Sequence, residues 1–159
     1  MPNKQTKLLS RPEYDKWIRS LPAGVCTFCE WQDYQVVLKE FEHWIWIASL
    51  APYWNWHTLI MPKRHFVEFE DQTFKEAAEF LDVSIYAKRK LLDAKLKRSD
   101  GSLVEKIVCF WRFRANRYDP ISKTVRPDHF HFHTTPDKDH LWDSTLDQDA
   151  YKCDFKKLI

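Results

Sequence analysis

No apolar run in this chain approaches the length of a membrane span, which excludes a helical integral membrane protein. Residues 1–10 are polar and lack the apolar stretch of a secretory signal. Neither sign of charge dominates. Lys and Arg number 25 against 23 Asp and Glu, a net of +2, too near neutral to argue for a nucleic-acid partner on bulk grounds. Glycine is scarce, with two in 159 residues, and no linker or internal repeat divides the chain. That length fits one domain, expected over residues 11–159 behind a disordered stretch 1–10. Cysteine is limited to four, two of them in Cys26-x-x-Cys29. That usage suits a reducing, cytoplasmic setting with a metal site better than a disulfide framework.

Aromatic residues are abundant. Eight Trp and eleven Phe within a hydrophobic fraction of 44% promise an aromatic core or cleft. In chain order, Arg11 to Ser20 reads as a short helix with Pro12 in its first turn. Leu21-Pro22-Ala23-Gly24 breaks it, and Cys26 to Trp31 forms a knuckle-like turn. Tyr34 to Lys39 and His43 to Ala48 read as a hairpin, and Thr58 to Met61 as a buried strand stopped by Pro62. Asp71 to Arg98 reads as the one long helix, with Thr73-x-x-Glu76 as a capping box. Phe74, Ala77, Ala78, Leu81, Ile85, Leu92 and Leu96 recur along it at helical spacing. Leu103 to Phe113 reads as a strand, with Cys109 in the core, and Arg114 to Pro127 as a polar loop. Lys88, Arg89, Lys90, Lys95, Lys97 and Arg98 are interspersed with acidic residues, so they read as a solvated helix face rather than a nucleic-acid surface.

The reactive stretch is His129-Phe130-His131-Phe132-His133-Thr134-Thr135. Its alternation is that of a strand, which puts the three imidazoles on one face and the two Phe rings on the other. Read alone, it is a reactive strand, a His-rich surface strand or a metal clamp. Cys26-x-x-Cys29 alone is likewise a metal pair, a redox pair or two buried thiols.

Three blocks together carry a resemblance. The alternating triad is similar to the His-φ-His-φ-His-φ-φ signature of the histidine triad (HIT) superfamily of nucleotidyl hydrolases and transferases. Trp56-His57-Thr58-Leu59-Ile60-Met61-Pro62-Lys63-Arg64-His65 resembles that superfamily's GHTLVIPKRH block, with Trp where glycine is common. Cys26-Thr27-Phe28-Cys29 resembles the CxFC of its zinc-containing members. The stretch from His43-Trp44 through Pro52-Tyr53-Trp54 to His65 looks most like galactose-1-phosphate uridylyltransferases within it.

The resemblance implies an α+β fold, an antiparallel sheet of about five strands packed with one long helix. It implies a structural zinc held by Cys26, Cys29, His65 and His129. It implies His131 as the nucleophile on the α-phosphorus of a nucleoside phosphate, through a nucleotidyl-histidine intermediate. His133 and His57 would flank it at the phosphate oxygens. A homodimer and a nucleotide substrate follow, either a dinucleoside polyphosphate or a nucleoside phosphoramidate. Nucleotidyl transfer involving a sugar phosphate, or nucleotide binding without turnover, are the other readings.

Two departures bear on the substrate. Ser49 stands where many members carry Asp or Asn to hold the ribose. The loop Ser122-Lys123-Thr124-Val125-Arg126-Pro127-Asp128 stands where Gly-Gln-Ser or Gly-Gln-Thr is usual. Lys123, Thr124 and Arg126 are the substitutes there, and Asn116 is a further phosphate contact. The aromatic loop Tyr53-Trp54-Asn55-Trp56 is either a stacking face for a base or a packed cap. His140 and Trp142 are candidates to close on a ligand.

Overall fold

The computed structural model describes residues 8–30, 36–97, 100–111, 116–121, 123–136 and 149–159, with the backbone alone for Asn116, Arg117 and Asp119. His140 and Trp142 lie outside the described residues. Helix α1 spans Arg11–Ser20, as its pattern indicates. The Ser10 N–H and hydroxyl both donate to the Glu13 carboxylate, at 2.8 and 2.7 Å, which closes the helix start. Residues 8–10, expected within the disordered stretch, are instead part of the fold. Leu8 is buried, and the Leu9 N–H donates to the Leu50 carbonyl at 2.7 Å.

A five-stranded antiparallel sheet follows, in the order β1-β2-β3-β7-β4. Its strands are β1 (Val37–Glu40), β2 (Trp44–Ala48), β3 (Thr58–Pro62), β4 (Ile107–Phe110) and β7 (Phe132–Pro136). The stretch 114–127, read as loop, instead contains a two-stranded ribbon of β5 (Asn116–Asp119) and β6 (Thr124–Pro127). Its strands are four residues each and largely polar in sequence, so no apolar period betrays them. A four-residue helix α2 (Thr27–Glu30) follows Cys26 directly and carries Cys29, and α3 (Phe74–Asp93) is the long helix. Among the described residues, no helix is long and apolar enough to cross a membrane.

Strands β2 and β3 are buried on both faces. Trp44, Trp46, Ile60, Phe130 and Phe132 pack with Val83, Ala87 and Leu91 of α3 on one side. Ile45, Ile47, Leu59 and Met61 pack with Cys26, Phe28 and Leu50 on the other, beneath Tyr14 and Trp17 of α1. Helix α3 is thus the back of the sheet, and α1 with the CxxC turn is its front. The Glu79 carboxylate on α3 accepts from the N–H groups of Glu42, His43 and Trp44, at 2.9, 2.6 and 3.1 Å. That ties the β1–β2 turn to the helix.

The helix faces depart from the sequence pattern. Phe74, Leu81 and Ile85 share one side of α3 but are 89, 62 and 42% exposed. The buried side is Glu76, Val83, Ala87 and Leu91. Small and β-branched residues let α3 lie close on the two Trp rings, and the larger apolar residues form a second, outer stripe. Cys109, expected in the core, is exposed because β4 is a sheet edge.

Among the described residues, Arg126 is the deepest charged side chain, 1% exposed. Its Nη1 donates to the carbonyls of Pro22 and Val25 at 2.8 and 3.2 Å. Its Nη2 donates to those of Leu21 and Ile18 at 3.4 and 3.5 Å. The guanidinium closes the C-terminal end of α1, where carbonyls lack helical partners and the helix dipole is negative. It also fixes the carbonyl immediately before Cys26. Arg126→Met keeps bulk but removes the donors to the Leu21, Pro22 and Val25 carbonyls and leaves the Ile18 carbonyl with the Leu21 N–H alone. It should cost about 3 kcal/mol or more, read as a lower denaturant midpoint at unchanged slope.

Candidate active site and metal centre

Two chemical clusters share the front face of the sheet. The first joins α2, the residues after β3 and the approach to β7. Cys26 Sγ lies 3.7 Å from His129 Nδ1, and Cys29 Sγ lies 3.6 Å from the same atom. Cys29 Sγ is 3.3 Å from His65 Nδ1. One donor atom from each of the four residues lies within 4.8 Å of the others. A tetrahedral ion with bonds of about 2.3 Å to sulfur and about 2.0 Å to nitrogen spaces sulfur and nitrogen about 3.6 Å apart. The donor set and its spacing therefore fit a zinc-sized ion. His129 Nε2 is 3.2 Å from the Pro62 carbonyl. Donating there, it keeps its proton on Nε2 and leaves Nδ1 for a metal. Burial holds His129 down to about 4, so it is neutral, as a ligand must be. Burial, then the adjacent Cys26 thiol, push Cys29 up to about 12. Two thiolates side by side need a cation between them.

The second cluster follows directly. His131 Nδ1 is 2.7 Å from the His129 carbonyl. Donation to that carbonyl leaves the lone pair on Nε2, the form in which an imidazole is a nucleophile. Phe28, between the two cysteines, lies 4.5 Å from the His131 ring, and His133 lies 4.7 Å from it. The Tyr53 N–H donates to His57 Nδ1 at 3.2 Å, so the neutral His57 carries its proton on Nε2. That atom is 2.9 Å from His133 Nδ1, which must then accept. The His133 proton is left on Nε2, a donor suited to a phosphate oxygen.

His57 is fully buried. Burial, and then the charges of His131 and Arg11, lower it to about 3. In the unfolded chain it protonates near 6.5. The unfolded state therefore takes up that proton first. The resulting stability is complete above pH ~6.5 and is lost as pH falls towards about 3. Glu76 behaves similarly lower down. The Arg64 guanidinium donates to it at 3.0 and 2.9 Å and holds it down to about 2, so its share is lost between pH ~4.5 and 2. Thermal melts should fall from pH 7 to pH 4.5 by on the order of a few kcal/mol. His57→Gln should flatten that slope while leaving the decline below pH 4 in place.

Not every candidate residue reaches this face. Ser49 is buried beside His57, and its N–H donates to the His57 carbonyl at 3.0 Å. Arg126, expected at the phosphate, is instead turned to the α1 carbonyls, and so leaves the binding set. Lys123 is exposed in the turn between β5 and β6, at φ 56°. Asn116 begins β5, and its side chain lies outside the described residues. His129 and His131 precede β7 rather than lie in it, since the ladder begins at Phe132. The alternation still holds, because Phe130 and Phe132 bury in the core behind them. The aromatic loop is a cap more than an open platform. Tyr53 stacks on His57 at 5.3 Å, and Trp56 is buried against Phe155. Trp56 adopts φ 63°, the left-handed region that explains why glycine is usual at this position of the block. Its indole donates to the Lys97 carbonyl at 2.9 Å, which offsets the strain.

Solved structures share this fold. A zinc-bound histidine triad family protein from Mycobacterium smegmatis superposes with a TM-score of 0.56, at 18% identity over 84% of this chain and 92% of that one. A hypothetical histidine triad nucleotide-binding protein from Sulfolobus tokodaii gives 0.51, at 21% identity over 72 and 70%. The chain has the histidine triad fold. A GalT-like protein from Arabidopsis thaliana gives 0.55 at 14% identity, and this HIT-fold chain spans 46% of its length. No protein-family model matches the chain, and no curated protein does. Identity this low places the fold and leaves the chemistry to the side chains. Sequence reasoning missed Arg11 and Phe110. Nothing in their local sequence marks them, since each meets the histidines only through tertiary packing.

Proposed function

We propose that this HIT-fold chain belongs to the histidine triad superfamily and is a nucleotidyl hydrolase or transferase acting at a nucleoside 5′-phosphoryl group. The observation that carries the reading is His131 with Nδ1–H donated to the His129 carbonyl and Nε2 left as the nucleophile. Nε2 attacks the α-phosphorus and the phosphorus bond to the leaving oxygen or nitrogen breaks. Water or a second acceptor then displaces the nucleotide from His131. His133 Nε2–H supports the phosphate oxygens, with His57 behind it. Cys26, Cys29, His65 and His129 would hold a structural zinc, which supplies rigidity to the strand approach and no step of the chemistry. The leading substrates are a dinucleoside polyphosphate and a nucleoside phosphoramidate. The test is incubation of purified protein with diadenosine polyphosphates, adenosine 5′-phosphoramidates of lysine type and UDP-sugars. Nucleoside monophosphate should be released from one of the first two. Tight binding with no product from any of them would favour a nucleotide-binding module.

We also propose that two copies pair across a two-fold axis. Support comes from the outer stripe of Phe74, Leu81 and Ile85 on α3 and from β4, an edge strand of the sheet. Light scattering at micromolar concentration should give twice the chain mass, and Leu81→Glu should return it to a monomer.

A further inference from the structure

The front-face histidines are part of a longer column. The Arg11 guanidinium lies 4.6 Å over the Tyr53 ring. Tyr53 stacks on His57 at 5.3 Å and 23°. His57 stacks on His133 at 5.1 Å and 24°, and His133 on Phe110 at 4.6 Å and 8°. The column begins on α1 and ends on β4, so it crosses elements far apart in sequence. Arg11 grips the loop twice. Its Nη2 also donates to the Ala51 carbonyl at 2.8 Å, two residues before Tyr53. The neighbouring Leu9 N–H holds the Leu50 carbonyl. With Pro52 between the two grips, the peptide that presents the Tyr53 N–H has little freedom.

That N–H has a chemical consequence at the far end. It makes His57 Nδ1 an acceptor at 3.2 Å, so the His57 proton is on Nε2, facing His133 Nδ1 at 2.9 Å. Without this donor, the two tautomers of a buried neutral imidazole differ little in energy, and His57 no longer dictates which nitrogen of His133 carries the proton. We propose that Arg11 and Tyr53 are positioning residues that fix His133 as its Nε2–H tautomer, acting through the Tyr53 peptide and His57. The cation holds the ring, the ring and the Ala51 carbonyl hold the peptide, and the peptide sets two successive protons. This rests on His133 serving the phosphate site, as proposed above, for its catalytic meaning, but not for its geometry.

The test uses zinc-loaded protein labelled with ¹⁵N-histidine and long-range proton–nitrogen correlation, which reports each ring's tautomer. In the wild type, His57 and His133 should both appear as Nε2–H. In Arg11→Ala, and in Arg11→Met, which retains bulk, His133 should show a mixture with Nδ1–H. Arg11→Lys, cationic but without the planar fork, should recover part of the wild-type pattern. With a fluorogenic adenosine 5′-phosphoramidate as probe, Arg11→Ala should lower kcat about tenfold and leave KM within about twofold. A His133 tautomer unchanged in both Ala and Met variants overturns the proposal, whatever happens to turnover. A wild type that turns over no nucleotide probe overturns the functional reading instead, and the tautomer measurement still decides the role of Arg11.

Discussion

Replacing His131 by alanine is expected to reduce nucleotide turnover by on the order of 10³-fold or more, with little change in melting temperature. The asymmetry follows from where the side chain stands. His131 is half-buried, bonds to a neighbouring carbonyl and touches Phe28. It lies outside both apolar clusters and is no member of the Cys–His cluster. Removing it deletes the lone pair on Nε2 and little packing. His131→Gly with added imidazole should recover part of the activity, because the cavity then admits the missing nucleophile. A rapid quench with labelled nucleotide should trap an acid-labile phosphorus–nitrogen adduct on the peptide holding His131. Retention of most activity by His131→Ala would assign the chemistry to another group. Nucleotide binding without turnover would then be the better account.

The second large effect belongs to Cys29. Metal analysis of reduced protein should find about one zinc per chain, and Cys29→Ala should destabilise the fold by on the order of several kcal/mol. The cluster draws Cys26 and Cys29 from one turn, His65 from beyond β3 and His129 from the approach to β7. An ion there cross-links three segments spread over a hundred residues. Binding must displace the thiol proton of Cys29, held high by burial, so metal affinity should rise with pH. A chelator should lower the melting temperature of the wild type towards that of Cys29→Ala and leave the variant unmoved. Reduced protein free of zinc, with a wild-type melting curve insensitive to chelator, would contradict this account.

Much of this site was legible in the residues because chemistry at a fixed spacing is a local signal. Cys26-x-x-Cys29, the block ending at His65 and the alternating triad converge in the fold as their resemblance to the superfamily implies. Helix α1 was legible from end to end, since Pro12 marks its start and Leu21-Pro22-Ala23-Gly24 its end locally, whereas the Ser10–Glu13 contact that closes it appears only in the fold. What was not legible depends on partners. Arg126 in a polar stretch reads as a ligand for phosphate. Only the fold shows that four carbonyls at the end of α1 already claim it. The apolar residues of α3 form two stripes, and periodicity alone cannot say which one the sheet covers. Trp56 stands where glycine is common in the block and takes a left-handed backbone conformation, a fact invisible until φ is known.

The sheet order has a consequence for synthesis. Strand β3 ends at Pro62, yet its neighbour β7 begins at Phe132. At about 5–20 residues per second, a ribosome needs roughly 3–14 s to make the intervening 69 residues. For that interval the nascent hairpin carries an apolar, unpaired edge, the kind that invites strand pairing with another chain. Helix α3 is completed during the same wait and can shield one face of β2 and β3, but not that edge. Strand β7, which follows His129 and His131 directly, is therefore also the one that covers this edge of β3. Truncation upstream of it would leave a product prone to self-association rather than a smaller folded protein.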